Sequence, residues 1–440
     1  MRSSLRTPLL ALFVAALFVL EGSTDFWFFS GSWNSALVIL NMALISAIMA
    51  LGLNLQWGFA GLFNIGVMGF VALGGLATVL IAMPPVSGAW TAGGWRIGGG
   101  LILGAATIAA AIAVYASHLG RRIKALATPA ILVIGFLLYR AVFDPGVSAV
   151  EAVNPASAGY LGGLDLPVLL SWPVGGLLAA GAAWIIGKTT LGLRSDYLAI
   201  ATLGIAEIII AIMKNEDWLT RGVKNVVGIP RPVPYEVDLQ NDPGFVEGAA
   251  SFGLDTVTAS TLYVKFGYSI HFAIVLLGLL ILAQLALKSP WGRMMRAIRD
   301  NAVAAEAMGK NVTKRHLQIF ILGSAICGLA GAMMTTLDGQ LTPGTYQPLR
   351  FTFLIWVMVI IGGSGNNFGA VLGGFLIWFL WVQVEPISLS IMHLITSGMA
   401  EDSWLRAQML SSVAYTRLLT MGVLLLVVLR FSPRGLIPEQ

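Results

Sequence analysis

The chain has 440 residues, 57% of them hydrophobic and only 11% charged, with a mean hydropathy of +0.84. A soluble chain of this length carries about a quarter charged residues and divides into two or three domains, so a soluble fold is excluded. The net charge of +5 does not point to nucleic acid, because the basic residues form no basic domain and are not interleaved with solvent-facing aromatics.

What remains is an all-α polytopic membrane protein. Apolar runs of about 18 residues or more recur without the ten-residue alternation of an outer-membrane barrel, and bilayer-spanning helices need about 20 residues. The opening "MRSSLRTPLLALFVAALFVLEGS" has the basic start and apolar middle of a signal peptide. No small-x-small cleavage site follows Leu20 cleanly and many spans come after, so residues 1–34 read as an N-terminal anchor helix and a short external loop. Residues 35–436 read as one transmembrane domain. Including the anchor, apolar segments fall at about 7–21, 35–53, 59–83, 98–117, 125–143, 167–187, 197–213, 268–287, 318–337, 351–364, 368–383 and 412–430. The glycine-dense "GFAGLFNIGVMGF" in the third and "GGSGNNFGAVLGG" after the tenth predict broken or re-entrant backbone beside a cavity, so the expected number of transmembrane or re-entrant helices is about 10–12. The similarity of these two stretches suggests an internal repeat. The single cysteine, Cys327, lies in an apolar run, reads as a small packing residue and leaves no partner for an intrachain disulfide or a CxxC motif.

Counting the segments as crossings places "HLGRRIK", "KTTLGLR", the 288–317 loop and the tail "RFSPRGLIPEQ" on one side. The stretch from Asp144 to Asp165, the 214–266 loop and "EDSW" at 401–404 fall on the other. The first set is rich in Arg and Lys and the second is dominated by acids, so the positive-inside rule predicts that both termini are cytoplasmic. The long 214–266 segment carries Pro, Gly and acids with little helical periodicity; it reads either as a binding element or as a passive connector.

Few motifs offer chemistry. "AWIIGKTT" ends like a phosphate-binding loop, but its first glycine position is Ala182 and an apolar helix precedes it, so Lys188 reads as an inner-face anchor. His118, His271, His316 and His393 are scattered and no HExxH occurs, which gives no support for catalysis. Glu207 lies near the middle of a span, where an ionisable residue costs about 2.5–3.5 kcal/mol on insertion scales. It reads either as a contact on a translocation route or as a hydrogen-bonded lock between helices. Asn41, Asn54 and Asn64 pose the same question with a structural role favoured, and Asn54, Asn64, Gly363, Gly365 and Asn366 in the glycine-rich breaks join Glu207 as translocation-path candidates.

The richest signal is "MMRAIRDNAVAAEAMGKNVTKRH" from Met294 to His316. Met295, Ile298, Ala302, Ala305 and Met308 recur at spacings of three and four, with Arg296, Arg299, Asp300 and Glu306 off that stripe. This predicts one amphipathic surface helix over 293–308, ended by Gly309. It reads either as an interfacial helix lying on lipid or as a docking helix. Its small, alanine-rich apolar face suits a groove on a soluble partner better than acyl chains.

That stretch resembles the "EAA" coupling loop of ABC importer membrane subunits. The chain from about 40 to 436 is similar to the larger subunit of the high-affinity branched-chain amino acid permease family. The resemblance is carried by "LGLNLQWGFAGLFNIG" (51–66), "SDYLAIATLGIAEI" (195–208), "SPWGRMMRAIRDNAVAAEAMGKNVTKRHLQIFILGSAICGLAGAM" (289–333), "GGSGNNFGAVLGG" (362–374) and "RFSPRGLIPE". It implies an all-helical permease in a bacterial inner membrane, paired with a second related permease, two cytoplasmic ATPases and a periplasmic substrate-binding protein. ATP and Mg would be bound by the ATPases, and this chain would hold no cofactor or metal and perform no catalysis. Arg296, Arg299, Asp300, Ala304, Ala305, Glu306 and Gly309 would belong to the helix that docks into the ATPase. The family's external loop has a "TGG…GI"-like pattern where this chain has "TRGVKNVVGI" at 220–229. The departures at Arg221 and Lys224 leave urea or short amides as alternative substrates. An ion-coupled secondary transporter is the rival class.

Overall fold

The structure, a computed structural model, describes residues 3–26, 29–156, 158–400 and 403–439. It is almost wholly helical. The apolar helices are α1 (Ser3–Ser23), α2 (Trp33–Ala60), α3 (Val67–Ala82), α4 (Trp95–Ala116), α5 (Arg121–Glu151), α6 (Ser171–Thr190) and α7 (Ser195–Asn215). After a segment holding only short helices comes α8 (Thr256–Lys288), followed by two surface helices, α9 (Pro290–Asp300) and α10 (Ala302–Ala307). The chain continues with α11 (Val312–Asp338), α12 (Phe353–Gly362), α13 (Asn367–Thr396) and α14 (Val413–Phe431). Among the described residues, 9 helices are long and apolar enough to cross a membrane, and Thr7–Ser23, Val67–Ala82 and Phe353–Gly362 are shorter apolar helices. The chain is therefore an all-α polytopic membrane protein.

Both glycine-rich stretches break the backbone. The first separates α2 from α3, beginning at Gly61, which caps α2 in the left-handed region with φ 68°. The second separates α12 from α13. With ten residues at 1.5 Å each, α12 is about 15 Å long, half the hydrocarbon thickness of a bilayer. The two breaks meet: a Cβ on Gly58 would lie 2.4 Å from the Gly365 nitrogen.

The core is built around α11, which packs on α6, α3 and α2, while α13 covers the other side of α2 and packs on α12. Small residues permit this closeness, as expected where backbone approach replaces a hydrophobic drive. A Cβ on Gly74 would meet the Gly328 carbonyl oxygen at 1.8 Å, and one on Gly331 would meet that of Val71 at 1.9 Å. Cys327 is buried in this core. The hairpin of α4 and α5 is mostly exposed and stands at the periphery.

One end of the bundle carries two small antiparallel pairs, β1 (Asp25–Phe26) with β2 (Phe29–Ser30) and β3 (Val226–Val227) with β4 (Gln340–Leu341). We refer to it as the strand face. Its loops are tied together by Val86 N–H to Leu161 O (3.0 Å), Leu161 N–H to Trp218 O (3.0 Å) and a hydrogen bond from Lys265 to Asn34. The opposite, tail face holds α9, α10 and residues 432–439.

Three sequence expectations need correction. The amphipathic helix over 293–308 is two helices, because Asn301 leaves helical geometry (φ −156°, ψ 94°) and its side chain caps α10 by accepting from the Ala304 N–H. The 214–266 segment is not a plain loop: it contains helices Asp217–Thr220, Glu236–Gln240 and Pro243–Ser251, and α8 already begins at Thr256, capped by Asp255. The segment expected at 368–383 runs on through Pro386 to Thr396. Glu401 and Asp402 of "EDSW" lie outside the described residues.

Candidate functional site

On the tail face, Arg299 at the end of α9 joins three distant parts of the chain. Its Nη1 donates to the Gly58 carbonyl oxygen in the last turn of α2 (2.5 Å) and pairs with Glu439 (2.9 Å), while its Nε donates to Asp300 (3.1 Å). Burial works against the guanidinium charge, but the hydrogen bonds to Glu439 and Asp300 outweigh it and hold Arg299 above the usual arginine range. The segment carrying Glu439 is itself bonded to the end of α12, with Leu436 N–H donating to Ile361 O (2.8 Å) and Ile437 N–H to Gly362 O (3.0 Å). Gly363 follows at φ 117°, and a Cβ there would lie 2.1 Å from Ile437 O. Gly365 has φ 83°, and a Cβ there would touch the Glu439 carboxylate. Only glycine fits this crossing without strain.

The asparagines complete the joint. Asn54 donates to Asn367 Oδ1 (3.0 Å) and accepts from the Gly365 N–H (2.9 Å). Asn366 caps α13 by accepting from Phe368 and Gly369 N–H, and donates to Pro438 O (3.3 Å). Arg296 and Lys288 line an adjoining cavity of about 380 Å³ with Gly365, Asn366 and Asn367. A second buried chain of bonds holds the first break: Asn64 donates to Gln56 (2.8 Å) and accepts from the Gly66 N–H (2.9 Å), and Gln56 donates to Phe320 O (2.9 Å) and Ser324 Oγ (3.0 Å) of α11. Asn41 bonds across to α8 through Lys265 O (2.9 Å) and the Ser269 hydroxyl (2.9 Å). Of the path candidates, Asn54, Asn64, Gly363, Gly365 and Asn366 thus sit in joints between helices near the tail face.

The apolar stripe of the surface segment divides between two surroundings. Met295, Ile298 and Ala305 are buried within this chain, whereas Met308 is 80% exposed. Neighbouring Val303, off the predicted stripe, is 78% exposed. With the exposed Ala304, Glu306 and Ala307, these two residues make α10 a short projecting knob. Gly309 ends it at φ 77°, and Lys310 N–H donates back to Ala305 O (3.1 Å).

Glu207 stands elsewhere. It lines an open cavity of about 860 Å³ together with Lys214, Trp381, Glu385, Tyr415 and Arg417. Among the described residues Glu207 has no hydrogen-bond or ion-pair partner, so it locks no helices together within this chain. Glu385 and Arg417 form an ion pair there, and the Arg417 guanidinium lies 5.7 Å from the Trp381 ring centroid. Sequence reasoning missed Glu385 and Arg417: it ended that span at 383, just before Glu385–Pro386, and passed over Arg417 inside an otherwise apolar run. It also missed Glu21, buried and accepting from Ser30 (2.6 Å) and Gln383 (2.6 Å), which ties α1 to α13. Gly187, Lys188 and Thr189 lie within helix α6, and Lys188 packs over Trp184 at 4.0 Å.

In the long strand-face segment, Arg221 stands where the resembling pattern has glycine, and it takes a left-handed φ of 57°. Its guanidinium compensates by donating to Ala156 O (2.5 Å), while Lys224 pairs with Asp217 (2.9 Å).

Comparison with known proteins agrees with this architecture. A family model described as branched-chain amino acid transport system / permease component matches residues 35–429. The chain is 29% identical over 235 residues to the high-affinity branched-chain amino acid transport system permease protein LivM of Escherichia coli, covering 53% of this chain and 54% of that protein. It is 25% identical over 280 residues to the probable branched-chain amino acid transport permease protein LivM of Methanocaldococcus jannaschii, covering 64% and 70%. It is also 24% identical over 267 residues to the ribose import permease protein RbsC of Haemophilus influenzae, covering 59% and 75%. The match spans about half the length of the Escherichia coli and Salmonella typhimurium LivM proteins. No solved structure matches the chain. The chain belongs to the family of branched-chain amino acid transport system permease components.

Proposed function

We propose that this chain is the membrane-spanning permease subunit of an ABC importer in a bacterial inner membrane, moving branched-chain amino acids. In this reading the tail face is cytoplasmic, two ATPase subunits bind ATP and Mg, and one of them seats the α10 knob. A second, related permease packs beside the chain, and a periplasmic binding protein delivers substrate to the strand face. The chain itself is a transport subunit and not an enzyme.

The observation that carries the reading is the Arg299 joint. A force on α10 passes through Asn301 into α9, and Arg299 connects α9 to the end of α2 and, through Glu439, to the α12–α13 break. Both glycine-rich breaks are therefore attached to the surface segment that carries the exposed α10. Where a packed joint has two arrangements, a small displacement at one end is converted into a change of helix packing, and in this reading the Arg299 joint is that element.

The test is uptake into liposomes holding the reconstituted complex, energised either by ATP or by a proton or sodium gradient. ATP-driven uptake that Glu306→Lys and Val303→Asp abolish supports the reading. Gradient-driven uptake by this chain alone would overturn it in favour of a secondary transporter centred on Glu207. Uptake of urea or a short amide in place of branched-chain amino acids would change the substrate and leave the mechanism standing.

A further inference from the structure

The cavity lined by Glu207 is charge-balanced in an unusual way. It carries two carboxylates, Glu207 and Glu385, and two cations, Lys214 and Arg417. One opposite pair, Glu385 with Arg417, is joined. Glu207 and half-buried Lys214 have no partner among the described residues, although they share one face of α7, seven residues apart. Seven residues span about 10 Å of helix axis, about two turns, so the two groups stand on the same wall of the cavity. The gap between them suits a molecule that brings both charges with it. The Nε of Arg417, which lines the same cavity, is buried without a partner and offers one more donor. Phe353, Trp381 and Leu418 give the same cavity an apolar side.

We propose that this cavity is the permease's own recognition site for a small zwitterion, with the ammonium group facing Glu207, the carboxylate facing Lys214 and the side chain against Phe353, Trp381 and Leu418. This rests on the importer reading above and adds a selectivity residing in this chain. A neutral solute such as urea or a sugar leaves both free charges without a partner. A solute of one sign satisfies only one of them. A net-neutral dipolar solute satisfies both, and its apolar side chain covers the aromatic wall.

The experiment uses the purified complex of this chain with its partner subunits, without the binding protein, titrated with radiolabelled leucine. Urea and ribose are the neutral competitors. Saturable leucine binding that weakens about tenfold or more in Glu207→Gln and Lys214→Met, as loss of one partner of a charge pair does, supports the site. Recovery in Lys214→Arg separates lost recognition from lost folding. Binding unchanged in both variants, displacement by urea or ribose, or no saturable binding by the wild-type complex would overturn the proposal. ATP-driven uptake by the wild-type complex is measured alongside. Uptake present with variant binding unchanged sinks the zwitterion site alone, whereas absence of ATP-driven uptake sinks the importer reading itself.

Discussion

Arg299 holds together groups that lie 241 residues away in one direction and at the C-terminal segment in the other. Its side chain is 23% exposed and that of Glu439 32%, so the pair is partly screened and the expected effect of losing it is moderate. Arg299→Gln should lower stability by about 1–2 kcal/mol, read as a reduced unfolding temperature in detergent. The same variant should cut ATP-driven uptake about tenfold, since the link between α9 and the α12–α13 break is lost. Unchanged uptake would remove Arg299 from the coupling route. Asn54 gives a cleaner stability test because it is buried: Asn54→Leu strands the Gly365 N–H and should cost about 1–3 kcal/mol in the same unfolding measurement. The sequence singled out Arg299, Asn54 and Gly365, but assigned the first to a docking surface and the others to a path. Their spacing in the chain carries no sign that they share one joint. Arg221 was read as a departure bearing on substrate; the structure gives it a backbone role that the letters alone do not reveal.

Among elements, α10 separates surface from core most sharply. Val303 and Met308 contact little of this chain, so Val303→Asp combined with Met308→Asp should leave its stability within about 0.5 kcal/mol while abolishing retention of ATPase subunits in a pull-down. A stable variant that still retains them would move the docking surface elsewhere. Gly363→Ala should do the opposite: with φ at 117° and the Ile437 carbonyl at 2.1 Å, the side chain would displace residues 432–439, making that segment accessible to protease. The helices themselves were legible in the sequence, since hydropathy locates each apolar run and glycine density located both breaks. Boundaries were less so. Lys265 and the tyrosines at 263 and 268 dilute the start of α8, yet Asp255 is a helix cap that the sequence displays. Asn301 before "AVAAE" is another such cap, and reading it would have divided α9 from α10. Pro386 reads as a stop, but α13 continues through it.

At the scale of the molecule, the α4–α5 hairpin and the outer face of α7 are largely exposed within this one chain. In the proposed assembly lipid covers the hairpin. In that assembly the exposed face of α7 bearing Glu207 would meet the second permease, with the charge-lined cavity beside the joint of the two subunits. An uncovered carboxylate at membrane depth is unfavourable against lipid, so a partner on that face accounts for its position. The most direct test of the account is purification of this chain from membranes in mild detergent, with the bound proteins identified, for wild type and for Val303→Asp with Met308→Asp. The account predicts that wild type brings down two ATPase subunits and a second permease, and that the variant keeps the permease but loses the ATPases. Wild-type chain recovered alone, or a variant that retains the ATPases, would contradict it.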